Sequence, residues 1–186
     1  YKSVKPLLAK YGLTDESFSA ILLTHDHLDH IRGLRSFCKH AHKPVYATAR
    51  LHSALAFHSF TKDFISSYRK FLNEDVTLID NMKVRWFEVP HDATHTVCFQ
   101  IDFDGYKFFI MTDVGSVTDE AIALARESQT VVIESNYDYD WLMDDSRCSY
   151  PRALKNRIAM DGHGHISNAE CAEALRKIWN ESTERI

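Results

Sequence analysis

The stretch Thr24-His25-Asp26-His27-Leu28-Asp29-His30 follows directly on an apolar run, Ala20-Ile21-Leu22-Leu23, and places three imidazoles and two carboxylates within seven residues. In an extended segment alternate side chains share a face, so His25, His27 and Asp29 point one way while His30 turns toward a neighbouring position. Imidazole nitrogen and carboxylate oxygen without thiolate suit Zn, Mn or Fe. A site short of four tight protein ligands per ion keeps a position for water, so one loop of this kind can serve two cations and support hydrolysis. A solvated turn is the plain alternative in a chain with 11 histidines. The strand ahead of the motif and the distant partners that match it argue against that reading.

Further ligands for such a site come from strand ends. Pro90-His91-Asp92 closes an apolar strand at 83–89, Thr112-Asp113-Val114-Gly115 closes another at 107–111, and Asp161-Gly162-His163-Gly164-His165 precedes a capped helix. Each puts an N/O ligand at the carboxyl edge of a strand or in the loop before a helix, where α/β folds gather function. Singly, a histidine after a strand is more often a satisfied surface or core residue, and a Thr-Asp pair before a turn is more often only a turn. Beside the first motif they form a set.

The elements that position this set are legible from periodicity. Val4, Leu7, Leu8 and Tyr11 recur at helical spacing up to Gly12, a strand follows at 19–23, and 31–37 is short and helical. Pro44-Val45-Tyr46-Ala47 begins a strand, and 48–60 and 62–72 are predicted helical with Phe57, Phe60, Phe64 and Phe71 inside. From Val76 to Thr112 the texture becomes strand-like, with Asp104-Gly105 as a hairpin turn. Thr118 caps a helix with Asp119 and Glu120 in its first turn, 130–134 returns to strand, and Ser167-Asn168-Ala169-Glu170 is a capping box opening the last helix. Leu154 and Ile158 mark the inward face of another helix, whose cations Arg152, Lys155 and Arg157 either face water or, with Arg147, track a nucleic acid backbone. The alternation predicts an α/β fold, and nothing marks a boundary within a single domain spanning 1–186.

Composition sets the outer limits. At 186 residues and 45% apolar the chain can bury one sizeable core, and no run approaches a membrane span or a signal-peptide core. Cys38, Cys98, Cys148 and Cys171 lie far apart, which excludes a Cys-x-x-Cys metal site and reads as reduced thiols of a cytoplasmic protein. A formal charge of −4 gives no general attraction to nucleic acid. Two bound divalent ions would supply about four positive charges where a phosphate substrate needs them.

The order of these groups, a His-x-His-x-Asp-His loop, then a His, an Asp and a His, resembles the metallo-β-lactamase superfamily from about residue 15 to 170. His91-Asp92-Ala93, Thr112-Asp113-Val114-Gly115, Glu134-Ser135-Asn136-Tyr137-Asp138, Tyr150-Pro151 through Ile158, and Gly164-His165-Ile166-Ser167-Asn168 look like the motifs of its YycJ/WalJ-like subfamily. The resemblance implies an αββα four-layer sandwich, here N-terminally truncated, because members begin with strands ahead of the helix at 3–11 and Tyr1 is not a start Met. It implies phosphodiester hydrolysis, as a 5′-to-3′ DNA exonuclease, by a hydroxide held on two divalent metal ions, zinc first with manganese or iron as alternatives. His25, His27 and His91 would hold one ion, Asp29, His30 and His165 the other, and Asp113 would bridge them. Asp29 would also orient the attacking group, and His163 or His95 would protonate the departing 3′-oxygen. Asp26 and Asp92 flank ligands and could fix imidazole tautomers.

The implied partner is nucleic acid, with no membrane and no protein partner. Two departures stand out: Cys98 where many members carry Gly, and His163 as an additional imidazole beside His165. The rivals are a thioester or lactone hydrolase on the same fold and a non-catalytic, metal-stabilised binding module. Asp26 between the first two histidines leans away from glyoxalase-like thioesterases, and His27 in place of Glu leans away from the flavodiiron group. The short span between Asp113 and His165 leaves no space for an inserted β-CASP cap.

Overall fold

The computed structural model describes residues 1–186, which divide into two compact units. The first comprises Tyr1–Asp80 with Ala93–His95, the second Asn81–Asp92 with Thr96–Ile186.

In the first unit the elements are α1 (Val4–Lys10), β1 (Ile21–Leu22), α2 (Leu28–Ile31), α3 (Leu34–Ala41), β2 (Val45–Ala47), α4 (Ala49–Phe57), β3 (Arg69–Phe71) and β4 (Thr77–Ile79). Strands β1, β2 and β3 pair in parallel in that order, with Ile21 opposite Val45 and Val45 opposite Arg69. Val45 and Ala47 present the buried side of β2 to a core of Leu23, Ile31, Leu34, Cys38, Leu51, Leu55 and Ile65. Thr48 starts α4 by accepting a hydrogen bond from the Leu51 N–H, the usual use of a hydroxyl at an N-cap.

Residues 62–72 do not form the predicted helix. They contain one turn of 3-10 helix, Ile65–Ser67, and then β3. Of the phenylalanine stripe only Phe64 packs against the core; Phe57 is 87% exposed, and Phe60 and Phe71 are half exposed. The buried Thr61 hydroxyl donates to the Leu55 carbonyl at 2.6 Å, which folds the chain back after α4. Phe71 is instead partnered at the surface, with Arg69 over its ring at 5.3 Å and His52 edge-on at 5.3 Å. A strand of three residues is too short to reveal a period of two, so a spacing of aromatics that mimics 3.6 dominated the expectation.

The second unit holds β5 (Met82–Glu88), β6 (Val97–Phe103), β7 (Tyr106–Met111), α5 (Asp119–Arg126), β8 (Thr130–Ile133), α6 (Tyr139–Met143), α7 (Arg152–Ile158) and α8 (Asn168–Ile178). Its strands follow the order β5-β6-β7-β8, the first two contacts antiparallel and the last parallel. Asp104 and Gly105, both at positive φ (51° and 87°), make the two-residue hairpin between β6 and β7 as expected. Phe87 and Phe109 stack at 5.2 Å in a core that α5 and α8 complete with Leu124, Ala125, Ala174 and Ile178. Ser167 and Glu170 form the capping box of α8.

Helix α7 is rotated from expectation. Leu154 is exposed, whereas the Lys155 side chain is 0% exposed and its Nζ pairs with Asp145 Oδ1 at 2.8 Å. An ammonium is tolerated in such a place only when paired, and its butyl stem then packs like an aliphatic residue. No helix is long and apolar enough to cross a membrane.

Candidate metal centre

In the first unit the metal-type side chains lie where β1 gives way to α2. The chain stays extended through His27, which occupies the N-cap position (φ −63°, ψ 146°), and then turns helical, so Asp29 leaves the extended face it was expected to share with His25 and His27. The turn gathers the imidazoles. His25 is fully buried, its ring 4.7 Å from that of His27 and 4.1 Å from that of His30. Thr24 Oγ1 lies 3.0 Å from His25 Nδ1 and 3.4 Å from His30 Nδ1, a shared support that the sequence had not suggested. Asp29 is 72% exposed at its side chain and approaches His30 Nε2 at 3.7 Å.

Asp26 bonds Thr94 rather than fixing an imidazole tautomer. Its carboxylate accepts from Thr94, from the backbone N–H at 3.1 Å and from the hydroxyl at 2.5 Å, and so ties the loop to segment 93–95. His95 is buried with Nδ1 2.8 Å from Thr48 Oγ1, in contact with the N-cap of α4.

In the second unit His91, Asp113 and His165 come together, each offering one ligand atom within 4.8 Å of the others. His91 follows β5, Asp113 follows β7, and His165 precedes α8, the strand-end and pre-helix junctions expected of it. Asp113 adopts a left-handed backbone (φ 56°), an uncommon and costly conformation for a residue with a side chain, of the kind that concentrates at functional sites. His163, in the same loop as His165, is exposed, and its backbone N–H donates to the Met160 carbonyl at 3.1 Å. Of the two imidazoles it is His165 that joins His91 and Asp113.

Outer partners orient these ligands. His91 Nδ1–H donates to the Gly164 carbonyl at 2.8 Å, which assigns the lone pair of the neutral ring to Nε2. His165 Nδ1 contacts Glu134 Oε1 at 2.6 Å, while Glu134 Oε2 accepts from the Val114 and Ile166 N–H groups at 3.1 and 3.3 Å. The Glu134 hydrogen bond raises the His165 pKa above the usual imidazole value against the opposing cost of burial, and the charges of Glu134, Asp113 and Asp92 add to it. Asp92 lies 3.5 Å from His91 Nε2 and is ion-paired with Arg157, so this guanidinium is engaged with the centre's own carboxylate.

Glu134, Thr24 and Gly164 stand within the motifs read from the sequence, but none was given a role there. Glu134 carried a signal, a carboxylate directly after the apolar run 130–133; a hydroxyl and a carbonyl carry none.

The donor chemistry fits divalent ions. Both clusters are imidazole and carboxylate, buried to half-buried and held by a second layer of hydrogen bonds, and the four cysteines are buried free thiols outside both. Cys98 stands behind Asp113: burial pushes its thiol up to about 12, and its Sγ–H donates to the Thr112 carbonyl at 3.8 Å.

Residues 5–183 match the Beta-lactamase superfamily domain. The chain belongs to the metallo-β-lactamase superfamily. Within it the chain falls in the YycJ/WalJ-like branch: it is 30% identical over 187 residues to "Exodeoxyribonuclease YycJ" of Bacillus anthracis, covering all of this chain and 68% of that protein. Among solved structures, the metallo-β-lactamase fold protein YhfI of Bacillus subtilis superposes with a TM-score of 0.59 at 17% identity, over 92% of this chain and 66% of that one. The Zn(2+)-bound PqqB of Methylobacterium extorquens superposes with a TM-score of 0.58 at 18% identity, over 80% of this chain and 54% of that one. This metallo-β-lactamase-fold chain is therefore of a hydrolase family whose fold carries divalent metal, and it presents the matching donor set.

Proposed function

We propose that the protein is a metal-dependent phosphodiesterase that degrades DNA from its 5′ end, acting in the cytoplasm as a single domain over 1–186. The observation that carries this reading is the triad His91, Asp113 and His165, braced by Glu134 and Gly164, in a chain 30% identical to a protein named as an exodeoxyribonuclease. The unbroken family match over 5–183 supports one hydrolase domain, and four free thiols support a reducing compartment.

His25, His27 and His91 would hold one divalent ion, Asp29, His30 and His165 a second, and Asp113 would serve both, with zinc ahead of manganese or iron. Such ions supply Lewis acidity, which activates water and takes up charge on phosphoryl oxygens. The chain's own groups do the rest. The exposed Asp29 carboxylate would orient the attacking group. The exposed His163 donates a proton to the departing 3′-oxygen. The ligand imidazoles keep their tautomers through Gly164 and Glu134.

The test is release of nucleotides from 5′-phosphorylated DNA with added manganese or zinc, run beside His27→Ala and Asp113→Ala. Wild type should release mononucleotides and both variants should lose at least about 100-fold in rate. Elemental analysis should find about two ions per chain. Cleavage of a thioester or lactone with DNA left intact would overturn the substrate class. Equal inertness of wild type and variants toward all of these would favour a metal-stabilised binding module.

A further inference from the structure

The loop after β8 and the start of α6 border a recess of about 390 Å³, within the roughly 300–1,000 Å³ of small-ligand pockets. Trp141, Leu142 and Tyr150 form its apolar wall, and Ser135, Asn136, Asp138 and Asn168 supply polar groups. No lysine or arginine lines it and a carboxylate does, which makes it a poor seat for phosphate.

The chemistry suits a neutral planar ring. Trp141 and Tyr150 are 41% and 50% exposed, high for side chains of their size, and every nucleobase has a face that stacks on such rings. Some polar atoms are already committed: Ser135 Oγ donates to Asn168 Oδ1 at 2.8 Å, Asn136 Nδ2 to Glu134 Oε1 at 3.1 Å, and the Trp141 backbone N–H to Asp138 Oδ1 at 2.7 Å. That leaves Asn168 Nδ2 as a donor, with Asn136 Oδ1 and the second Asp138 oxygen as acceptors. Such a mixed set pairs with the hydrogen-bonding edge of an unstacked base.

Position adds to this. A second cavity, of about 290 Å³, contains His165, and Tyr137 lines both. The recess and the cavity that His165 lines are thus neighbours across the Tyr137 side chain. Asn136 also touches Glu134, the carboxylate that holds His165, so one bond links the recess to that ligand's support.

We propose that this recess holds an unpaired nucleobase of the DNA strand being cut, so that the protein grips single-stranded ends in preference to closed duplex. In a duplex both the ring faces and the hydrogen-bonding edge are already used. The inference deepens the phosphodiesterase reading and rests on it.

The experiment measures fluorescence anisotropy of the protein as purified with three phosphorothioate ligands that resist cleavage: a single strand, the same strand made abasic, and a blunt duplex. Trp141→Ala and Tyr150→Ala should weaken single-strand binding about 5- to 100-fold, as should removal of the bases, while Trp141→Phe stays near wild type. Both positions are half exposed, so thermal midpoints should be unchanged; should either alanine variant fold poorly, the abasic strand on wild type still decides. Equal binding of abasic and base-bearing strands, or full affinity in the alanine variants, overturns the proposal. Hydrolysis of bis(p-nitrophenyl) phosphate by wild type separates the two readings. Cleavage of that ester without the base contrast removes the recess alone. Base-dependent binding with no phosphodiester cleaved upholds the recess and removes the phosphodiesterase.

Discussion

The two imidazole clusters are assembled by opposite means. His25, His27 and His30 come from one seven-residue stretch, and His25 and His30 share a single hydroxyl, that of Thr24. His91, Asp113 and His165 come from three separate junctions and are braced by Glu134, by the Gly164 carbonyl and by the Asp92–Arg157 pair. Chain connectivity holds the first cluster together at little further cost. The second exists only once the strands and the 161–165 loop have packed, so it depends on oriented polar partners and close backbone contact. Damage to support should therefore be far more harmful in the second unit than in the first.

The strongest way to break that contrast is Gly164→Ala. A Cβ at this position would collide with the Ile158 carbonyl and lie 2.7 Å from that of Arg157, both backbone atoms that cannot swing aside. The loop must shift, and with it both His165 and the carbonyl that orients His91. We expect a loss of about 2–3 kcal/mol, or roughly 5–10 °C in Tm, together with a fall in metal affinity of at least about 100-fold. Thermal melts and metal titration check both, and an unchanged melt would mean that the loop is not packed as described.

Next in size is Glu134→Gln set against Thr24→Val. The glutamine keeps an oxygen for the backbone N–H groups of Val114 and Ile166 but removes the charge facing His165. Metal affinity should fall about 10- to 100-fold with little change in Tm. Thr24→Val removes the shared hydroxyl and should cost only a few-fold, because the backbone of the motif still places its imidazoles. Equal losses in the two variants would show that the local cluster relies on support as much as the distant one does.

This contrast also explains what could be read in advance. The local cluster is legible because its ligands are neighbours in sequence. The distant ligands were recoverable from a rule of position, a His or Asp where an apolar strand stops, and His91 and Asp113 obey it. The β5–β6–β7 strands were legible for the same reason, since runs of six and seven residues and an Asp-Gly turn carry their own signal. What failed was short or tertiary. Three residues of β3 carry no period, and the phenylalanines around them imitated a helical face although only Phe64 among them packs on the core. Lys155 points inward because Asp145 waits for it, and a charge that finds its partner through a loop leaves no trace in helical periodicity. The left-handed Asp113 and the Gly164 carbonyl belong to backbone geometry, which side-chain patterns do not record.

The smallest effect sharpens the comparison through the thiols. Burial pushes Cys38, in the first unit, up to about 11 and Cys98, in the second, up to about 12. A raised thiol pKa keeps the group protonated, so at pH 8 roughly one in a thousand or fewer would be thiolate, and alkylation must wait for local opening. Cys38 sits in the eight-residue helix α3, in a core whose strands are only two and three residues long, whereas Cys98 sits in the seven-residue ladder of β5 and β6. Iodoacetamide labelling followed by peptide mass mapping should modify Cys38 several-fold faster than Cys98. Metal chelation should accelerate Cys98 in proportion more, since the chain after β7 runs through Thr112, whose carbonyl holds that thiol, straight to Asp113. A Cys98 rate indifferent to chelation would mean that the second cluster does not brace the strand ends behind it.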